Sequence, residues 1–366
     1  MTATASSSDP GESRSTPFPH ASEANASSTV TTPQAWNHPI THDYASPRAC
    51  QPASFITDDL VLLHHWTYVA SVTITDSEQA NVLWQDITPR IAFEHTFLLH
   101  AVLSSSALHL AHTHPSCTEQ RLIDAARHHN TALEGFRHHI TNMTEDVSDA
   151  ILACSFLNVL YVFGAFGRLG DQHADAVRSS ARKSQILGAD LIPMHHGVGT
   201  VLRPLYPHIL QGPLAPLVGV GNWESIDPDS LAVPGDEHFR NLRTVWAQDS
   251  SVRVYDDALH ALRRSLVFVG QSEEQSRHAS ELCYNGKWAS PGLWIHAAPR
   301  EYFILLDQRQ PAALLIYCYF GVVLHGLNDY WFMDSWGRNV VEVVDEILGS
   351  YWSPYTQWPR EVVGLC

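Results

Sequence analysis

The chain contains 366 residues, enough for one large domain or two ordinary ones, and 45% of them are hydrophobic. Charged residues make up only 16%, against roughly 25% in an average globular chain, so we expect a surface poor in charge and rich in apolar area. The formal net charge is −16, and the sequence has no cluster of Lys and Arg. These numbers argue against direct nucleic acid binding by this chain alone.

The cysteines and the N-terminal residues further restrict the class of protein. Six cysteines are scattered without a CxxC pair, which argues against a sequence-local zinc site and a disulfide framework. We therefore expect neither a metal nor a cofactor. Residues 1–30 contain no apolar segment of a secretory signal, and no run of 18 apolar residues predicts a membrane span. A reducing, intracellular compartment fits these features.

Composition divides the chain near residue 54. Residues 1–54 are rich in Ser, Thr, Pro and Ala, with few aliphatic residues, which predicts a disordered tail. Residues 55–366 have the pattern of a folded domain, and its first helix begins at Thr57 or Asp58. The inward stripe of that helix, widened by Leu62 and Tyr68, is predicted from residues at three-residue intervals: Leu60, Leu63, Trp66 and Val69.

Further helices follow in chain order, with one interruption. The first group is predicted over 89–115, 119–142, 147–164 and 173–187. Residues 188–238 are rich in Pro and Gly, and they predict a long irregular insertion with at most one short helical turn. Helical patterns return over 250–269, 299–308, 311–327 and 335–348, the last capped by Asp334 and stopped by Gly349. Because no strand pattern of useful length occurs, the predicted fold class is all-α, a domain of many helices.

Histidines are concentrated in the second predicted helix. His109 and His112 are three residues apart and share a helix face. A zinc or iron site needs three or four ligands, and no carboxylate lies near this pair, so we predict histidines of the core or its boundary and no metal. If the chain were instead an isomerase or cyclase, the acid and base would come from four candidates: His109, His112, Asp329 and Asp334.

Aromatic residues are crowded into the last tenth of the chain. Trp and Tyr join a large apolar body to one polar group, which suits the wall of a binding pocket. Helix–helix packing explains any single ring equally well. As a group, the rings and their apolar neighbours predict a hydrophobic cavity lined by five residues: Tyr330, Trp331, Trp336, Phe320 and Leu324.

Three stretches then become informative together: LLHHWTYVASVTI (62–74), ITPRIAFEHTFLLHAVLSSSALHLAH (87–112) and RQPAALLIYCYFGVVLHGLNDYWFMDSWGRNVVEVVDEIL (309–348). With WPREVVGL (358–365), they resemble the C-terminal regulatory domain of fungal zinc-cluster transcription factors, and most of all the sterol uptake control proteins. The resemblance implies an all-helical fold that holds a lipid in a hydrophobic cavity. It also implies that the histidines of 87–112 belong to a core helix and bind no metal.

The N-terminal part departs from that family. Zinc-cluster factors carry a cysteine-rich DNA-binding motif followed by basic residues, whereas residues 1–54 contain only Cys50 and no basic run. We therefore expect a nuclear regulator or co-regulator without its own DNA-binding domain that senses a sterol, lipid or secondary metabolite. It would act with a full-length factor or as a homodimer, and it would control a metabolite gene cluster. The alternatives are the isomerase or cyclase above, and a truncated gene whose upstream exon encodes the zinc cluster.

Overall fold

A computed structural model of the protein describes residues 55–167, 176–231, 233–271 and 286–365. The predicted tail over 1–54 lies outside these residues. Regular structure in the described ranges is helical throughout, with no strand, which confirms the all-α prediction. The α-helices before the predicted insertion are α1 Thr57–His65, α2 Glu78–Val82, α3 Thr88–Glu94, α4 Thr96–Thr113, α5 Thr118–Thr141, α6 Ser148–Phe166 and α7 Ala176–Ile186.

Eight further α-helices follow. They are α8 Leu191–Ile209, α9 Asp236–Asn241, α10 Val252–Val269, α11 Ser290–Ala297, α12 Arg300–Asp307, α13 Pro311–His325, α14 Trp336–Leu348 and α15 Ser353–Val362. Besides α8 and α9, which lie in or overlap the predicted irregular insertion, two of them were not predicted: α11 and α15. Both begin with Ser-Pro, and the ring of Pro suits the first turn of a helix.

The inward face of α1 differs from the predicted stripe. Leu62, Trp66 and Ala70 are fully buried, whereas Leu60 and Val69 are 61% and 42% exposed. The buried residues are four apart, and the last turn, Trp66–Ala70, is a π-helix that widens the repeat. The three-residue interval chosen from the sequence was therefore wrong for Leu60 and Val69. Tyr68 is likewise exposed.

The predicted helix over 89–115 is divided in two at His95. This residue has extended backbone angles, φ −127° and ψ 91°, between α3 and α4. Its N–H donates to the carbonyl of Ile91, and its own carbonyl accepts from the N–H of Leu99. Since these bonds link His95 to both helices, the break leaves few polar backbone groups unpaired.

Helices α4 and α6 form the centre of the domain. Both are apolar on almost every face, and they pack against each other while α5 lies against both. The segment Glu145–Phe166 is long and apolar enough to cross a membrane by length and composition, but 72% of its most apolar window is buried in the structure. Such burial is typical of the central helix of a globular core.

Much of the predicted irregular insertion is helical. α8 occupies 19 residues of the range 188–238 and continues through Pro204 and Pro207. Its apolar side chains Leu191, Leu202 and Leu205 are buried, and the helix packs on α6. Burial of this face outweighs the intrahelical hydrogen bonds that the prolines remove, a tertiary effect that local propensity does not predict.

One buried arginine of α10 binds the last part of the insertion, just before and at the start of α9. The Arg263 guanidinium donates from Nε and Nη2 to the two carboxylate oxygens of Asp236, at 2.6 and 2.9 Å. It also donates to Asp229 at 2.7 Å and to the carbonyl of Pro228 at 2.9 Å. This bidentate pairing ties the loop before α9 to the helical core.

Helices α13 and α14 approach each other at two glycines. A Cβ atom added to Gly337 would lie 2.4 Å from the carbonyl oxygen of Gly321 and 2.4 Å from the backbone nitrogen of His325. Only glycine fits this backbone-to-backbone contact. Between the two helices, the predicted cap Asp334 is replaced by Ser335, whose φ of 69° turns the chain into α14.

Candidate functional site

Short non-α turns bring distant aromatic residues together beside α6. Trp84 lies in a π-helical turn, Leu83–Ile87, after α2. Trp288 lies in a 3-10 turn, Gly286–Ala289, before α11. Trp331 and Phe332 lie in a second 3-10 turn between α13 and α14. We call the set that meets here the aromatic cluster: Trp84, Phe156, Trp288, Tyr330, Trp331 and Phe332.

The rings of the aromatic cluster contact one another mainly edge to face. Phe156 of α6 lies between Trp84 and Trp288, with centroid distances of 6.3 and 6.1 Å. Trp288 and Trp331 each lie 5.5 Å from Phe332, at interplanar angles of 87°. These distances and angles are those of favourable aromatic pairs, and they produce a continuous apolar wall from α2 to α14.

Tyr330 joins this wall to a carboxylate. Its hydroxyl donates a hydrogen bond to Asp76, in the loop before α2. A Cβ atom at Gly286 would lie 2.9 Å from that hydroxyl oxygen, and Gly286 has a φ of 65°. Glycine is therefore required at the start of the turn that carries Trp288. Because Asp76 is negative, this end of the aromatic cluster disfavours an anionic ligand.

Two imidazoles lie on the other side of Trp331. His65 Nε2 of α1 and His109 Nδ1 of α4 are 2.8 Å apart, so one ring donates and the other accepts. The rings of His109 and His112 lie 5.1 and 5.8 Å from Trp331. Burial, with the nearby imidazoles of His65, His112 and His114, lowers the pKa of His109 to about 4. Such a group is a weak base at neutral pH and suits packing better than proton transfer.

A second histidine pair connects α4 to α5. His100 Nδ1 and His128 Nδ1 are 2.8 Å apart, and His128 Nε2 lies 3.1 Å from Asp59 Oδ1 of α1. His128 Nε2 lies between an acceptor, the Asp59 carboxylate, and a donor, Arg127 Nη2 at 3.0 Å, while one of the two Nδ1 atoms donates to the other. Burial opposes ionisation of Asp59, but the N–H of Ile56, with His128 and Arg127, holds the pKa of that carboxyl below its usual value.

The pKa values of His100 and His128 are both lowered. Burial, reinforced by His128, lowers the pKa of His100 to about 4. Burial also lowers the pKa of His128, and Arg127 adds to this effect while Asp59 opposes it. Both rings are therefore neutral at pH 7. The structure places histidines in the core, as predicted, and their partners are other imidazoles and a carboxylate.

The structure separates the predicted ligand-binding residues into two groups. Tyr330 and Trp331 belong to the aromatic cluster. Trp336 instead donates from Nε1 to the carbonyl of Phe163 at 2.6 Å, and Phe320 packs on Trp294 at 4.3 Å. Leu324 is fully buried in α13. A direct role in ligand binding stays a prediction for all five residues.

The four candidates for acid–base catalysis do not form one constellation. His109 and His112 lie at Trp331, whereas Asp329 is exposed to solvent. Asp334 is half-buried and accepts from the Ser335 hydroxyl at 3.2 Å. General acid–base catalysis needs both groups within reach of one substrate, and the contacts of these residues place no carboxylate beside His109.

One group of side chains could hold a metal ion among the described residues. Ligand atoms of Asp227, Asp229 and His260 lie within 4.8 Å of one another. Both aspartates are exposed, and Asp229 already forms an ion pair with Arg263 at 2.7 Å. Asp229 of this group therefore already helps to hold the loop before α9 against α10.

Sequence reasoning missed half of the aromatic cluster. Trp84, Phe156 and Trp288 are far from one another along the chain, and no local pattern connects them. The available signal was the NGKW stretch over 285–288, because an Asn-Gly pair often marks a turn. The place where that turn packs depends on tertiary contacts.

Residues 61–183 match the fungal-specific transcription factor domain family. The matched segment runs from α1 into α7 and contains both histidine pairs together with Phe156. This segment is therefore similar to the fungal-specific transcription factor domain, and the family resemblance predicted from the sequence is confirmed.

Individual relatives have names that agree with this family. The chain is 31% identical over 152 residues to sterol uptake control protein 2 of Candida albicans, covering 41% of this chain and 19% of the relative. It is 23% identical over 318 residues to a Zn(2)-C6 fungal-type transcription factor of Gibberella zeae, covering 84% and 62%. It is 28% identical over 138 residues to sterol uptake control protein 2 of Saccharomyces cerevisiae, covering 37% and 15%. The chain thus spans less than two thirds of each relative.

Proposed function

We propose that the folded chain is a regulatory module of transcription that binds an apolar small molecule at the aromatic cluster. The observation that carries the proposal is the meeting of the Tyr330–Phe332 segment with three aromatic residues from other parts of the chain, Trp84, Phe156 and Trp288. A wall of rings with few polar groups is the usual lining of a site for a hydrophobic ligand. The names of the relatives support regulation of transcription and a sterol or other lipid as the ligand class.

Binding is tested with full-length chain purified from a fungal host and examined by native mass spectrometry. The wild type should carry one small molecule per chain. Trp288→Ala opens the wall of the aromatic cluster and should lose that molecule. Trp223→Ala is the matched control, because Trp223 is equally buried but lies in a separate apolar cluster with Ile226, Val267 and Phe268.

Two results would contradict ligand binding at the aromatic cluster. One is a wild-type chain that carries no small molecule from any fungal host tested. The other is equal retention of the molecule by folded Trp288→Ala and Trp223→Ala variants. Circular dichroism of both variants establishes that the comparison is made between folded proteins.

Regulation is tested by fusing the full chain to a heterologous DNA-binding domain in a fungal reporter strain. We expect reporter transcription to change relative to the DNA-binding domain alone, and the change to be reduced by Trp288→Ala. No change with the wild-type fusion would contradict a regulatory role. Localisation of the fluorescently tagged chain tests the proposed nuclear site of action.

The proposed partners follow from the charge of the chain. With a net charge of −16, the chain attracts DNA phosphates poorly, so we assign contact with DNA to a separate unit. The chain would act with a full-length zinc-cluster factor, which carries that unit, or as a homodimer. Light scattering distinguishes a homodimer from a monomer, and pull-down from nuclear extract tests the factor. Control of a metabolite gene cluster is tested by expression profiling of a deletion strain.

A further inference from the structure

We infer that three buried indole N–H groups of the aromatic cluster form a polar subsite for neutral oxygen acceptors on the bound ligand. The inference rests on the proposed function, and it specifies the ligand class. The ligand would be a mainly apolar molecule with carbonyl, ether or hydroxyl oxygens on its surface. A pure hydrocarbon would leave the indole groups unpaired.

Four other indole N–H groups of the described core have protein partners. Those of Trp66 and Trp294 donate to the backbone carbonyls of Trp84 and Ala258, at 2.9 and 3.1 Å. Those of Trp246 and Trp336 donate to the Asp256 carboxylate and to the carbonyl of Phe163, at 3.0 and 2.6 Å. This pairing is the normal condition of a buried donor.

The aromatic cluster is different. The Nε1 atoms of Trp84, Trp288 and Trp331 are each shielded from solvent and have no hydrogen-bond partner in the structure. Trp84 and Trp288 as whole side chains are 0% and 4% exposed. Unpaired buried donors are rare in proteins, and here three of them belong to one set of contacting rings.

The donor character of these groups is unambiguous. An indole nitrogen only donates, and unlike an amide or an imidazole it cannot exchange roles by a flip or a change of tautomer. The groups also come from three separate turns that meet at Phe156 and Phe332. One local distortion of the chain therefore does not account for all three.

The chemistry of the subsite restricts what it binds. Three donors favour a ligand with acceptor oxygens and disfavour an ammonium or another donor-only group. Asp76, bonded to Tyr330 at one end of the aromatic cluster, disfavours a carboxylate or phosphate. Neutral oxygens satisfy both conditions. A polar group that recognises an acceptor also discriminates strongly against an analogue without it, because the donor is then left unpaired.

The test uses full-length chain labelled with ¹⁵N at the tryptophan indoles. Its indole N–H resonances are recorded during titration with cyclohexanone, which has an acceptor oxygen, and with methylcyclohexane, which has none. Trp84→Phe, Trp288→Phe and Trp331→Phe assign the three resonances, since each change deletes one N–H and keeps a ring. Trp294→Phe assigns a paired indole as the matched control.

We expect cyclohexanone to move the three resonances downfield, and neither probe to move the resonance of Trp294. Each Trp→Phe change should weaken cyclohexanone binding roughly three- to tenfold more than it weakens methylcyclohexane binding, because both probes lose ring contact but only cyclohexanone loses a donor. If a variant does not fold, the number of wild-type resonances that respond to cyclohexanone alone still decides the question.

Equal shifts with both probes would overturn the polar subsite while leaving an apolar site intact. Unmoved resonances with both probes would overturn the subsite as well. In that case the proposed function is judged separately, by the mass spectrometry of the wild type and Trp288→Ala.

Discussion

Two regions on either side of the aromatic cluster are joined by opposite kinds of contact. α4 meets α1 and α5 through paired imidazoles and a buried carboxylate, at His65–His109 and at His100–His128–Asp59. α13 and α14 approach each other backbone to backbone at Gly321 and Gly337. The first contact depends on where protons are held, whereas the second depends on the absence of a Cβ atom.

Both regions contact Trp331 or the turn that carries it. Trp331 contacts His109 of the histidine-paired region, and the turn that carries it connects the two glycine-packed helices. A change in either region can therefore move the same ring. Loss of the glycine contact would act through sterics at any pH, whereas the histidine pairs would act only as pH falls.

The largest expected effect comes from Gly337→Ala. The added Cβ would meet backbone atoms of Gly321 and His325, which cannot rotate away as a side chain can. We expect a loss of about 3 kcal/mol in the free energy of unfolding, the upper end for overpacking. Urea denaturation of the purified variant measures it.

Gly197→Ala is the matched control for this prediction. Gly197 lies inside α8, and a Cβ added there meets no atom within 4 Å. We expect that change to stabilise the protein by about 0.5–1 kcal/mol, since Ala favours a helix more than Gly does. If Gly337→Ala were as stable as Gly197→Ala, the close packing of α13 and α14 would be refuted.

An intermediate effect is expected in the histidine-paired region. Asp59→Ala removes a buried carboxylate that contacts His128 Nε2 and accepts from the Ile56 N–H. We expect a loss of about 1–3 kcal/mol in the free energy of unfolding, the typical effect of leaving buried donors unpaired. Asp58→Ala, at a partly exposed ion pair with Arg121, should change stability by less than about 1 kcal/mol. Equal losses for the two variants would show that the buried chain of hydrogen bonds contributes little.

Periodicity predicted the central helices well because their pattern is controlled by burial. The predicted ranges 119–142 and 147–164 agree with α5 and α6 to within two residues at each end. The face of α1 was wrong because its π turn changes the repeat, and the helical part of the insertion was missed because Pro204 and Pro207 dominate its local signal.

Prediction of the candidate site was limited by chain separation. Tyr330 and Trp331 were identified because they are adjacent in an aromatic-rich segment. Trp84 and Trp288 were not, since contacts between distant turns are set by the packed fold and leave no mark on local spacing. The histidine partners were missed for the same reason, because His65 and His109 are 44 residues apart.

The smallest effect, and the one that separates the two regions most sharply, is a change in pH dependence. His109 has a folded-state pKa of about 4, below the value of about 6.5 for a free imidazole, so the unfolded chain binds more protons between these limits. Stability should therefore fall as pH is lowered from about 6.5 towards 4. A single such histidine contributes a slope of at most about 1.4 kcal/mol per pH unit.

His109→Gln should reduce that slope, because one titrating group is removed from the buried pair with His65. Urea denaturation of wild type and variant between pH 8 and pH 5 measures the difference, and the values at pH 8, where the imidazoles are neutral, serve as the baseline. Gly337→Ala should shift stability by the same amount at every pH, since its clash involves no titrating group. A pH slope unaltered by His109→Gln, or altered equally by Gly337→Ala, would contradict the distinction between proton-dependent and steric contacts.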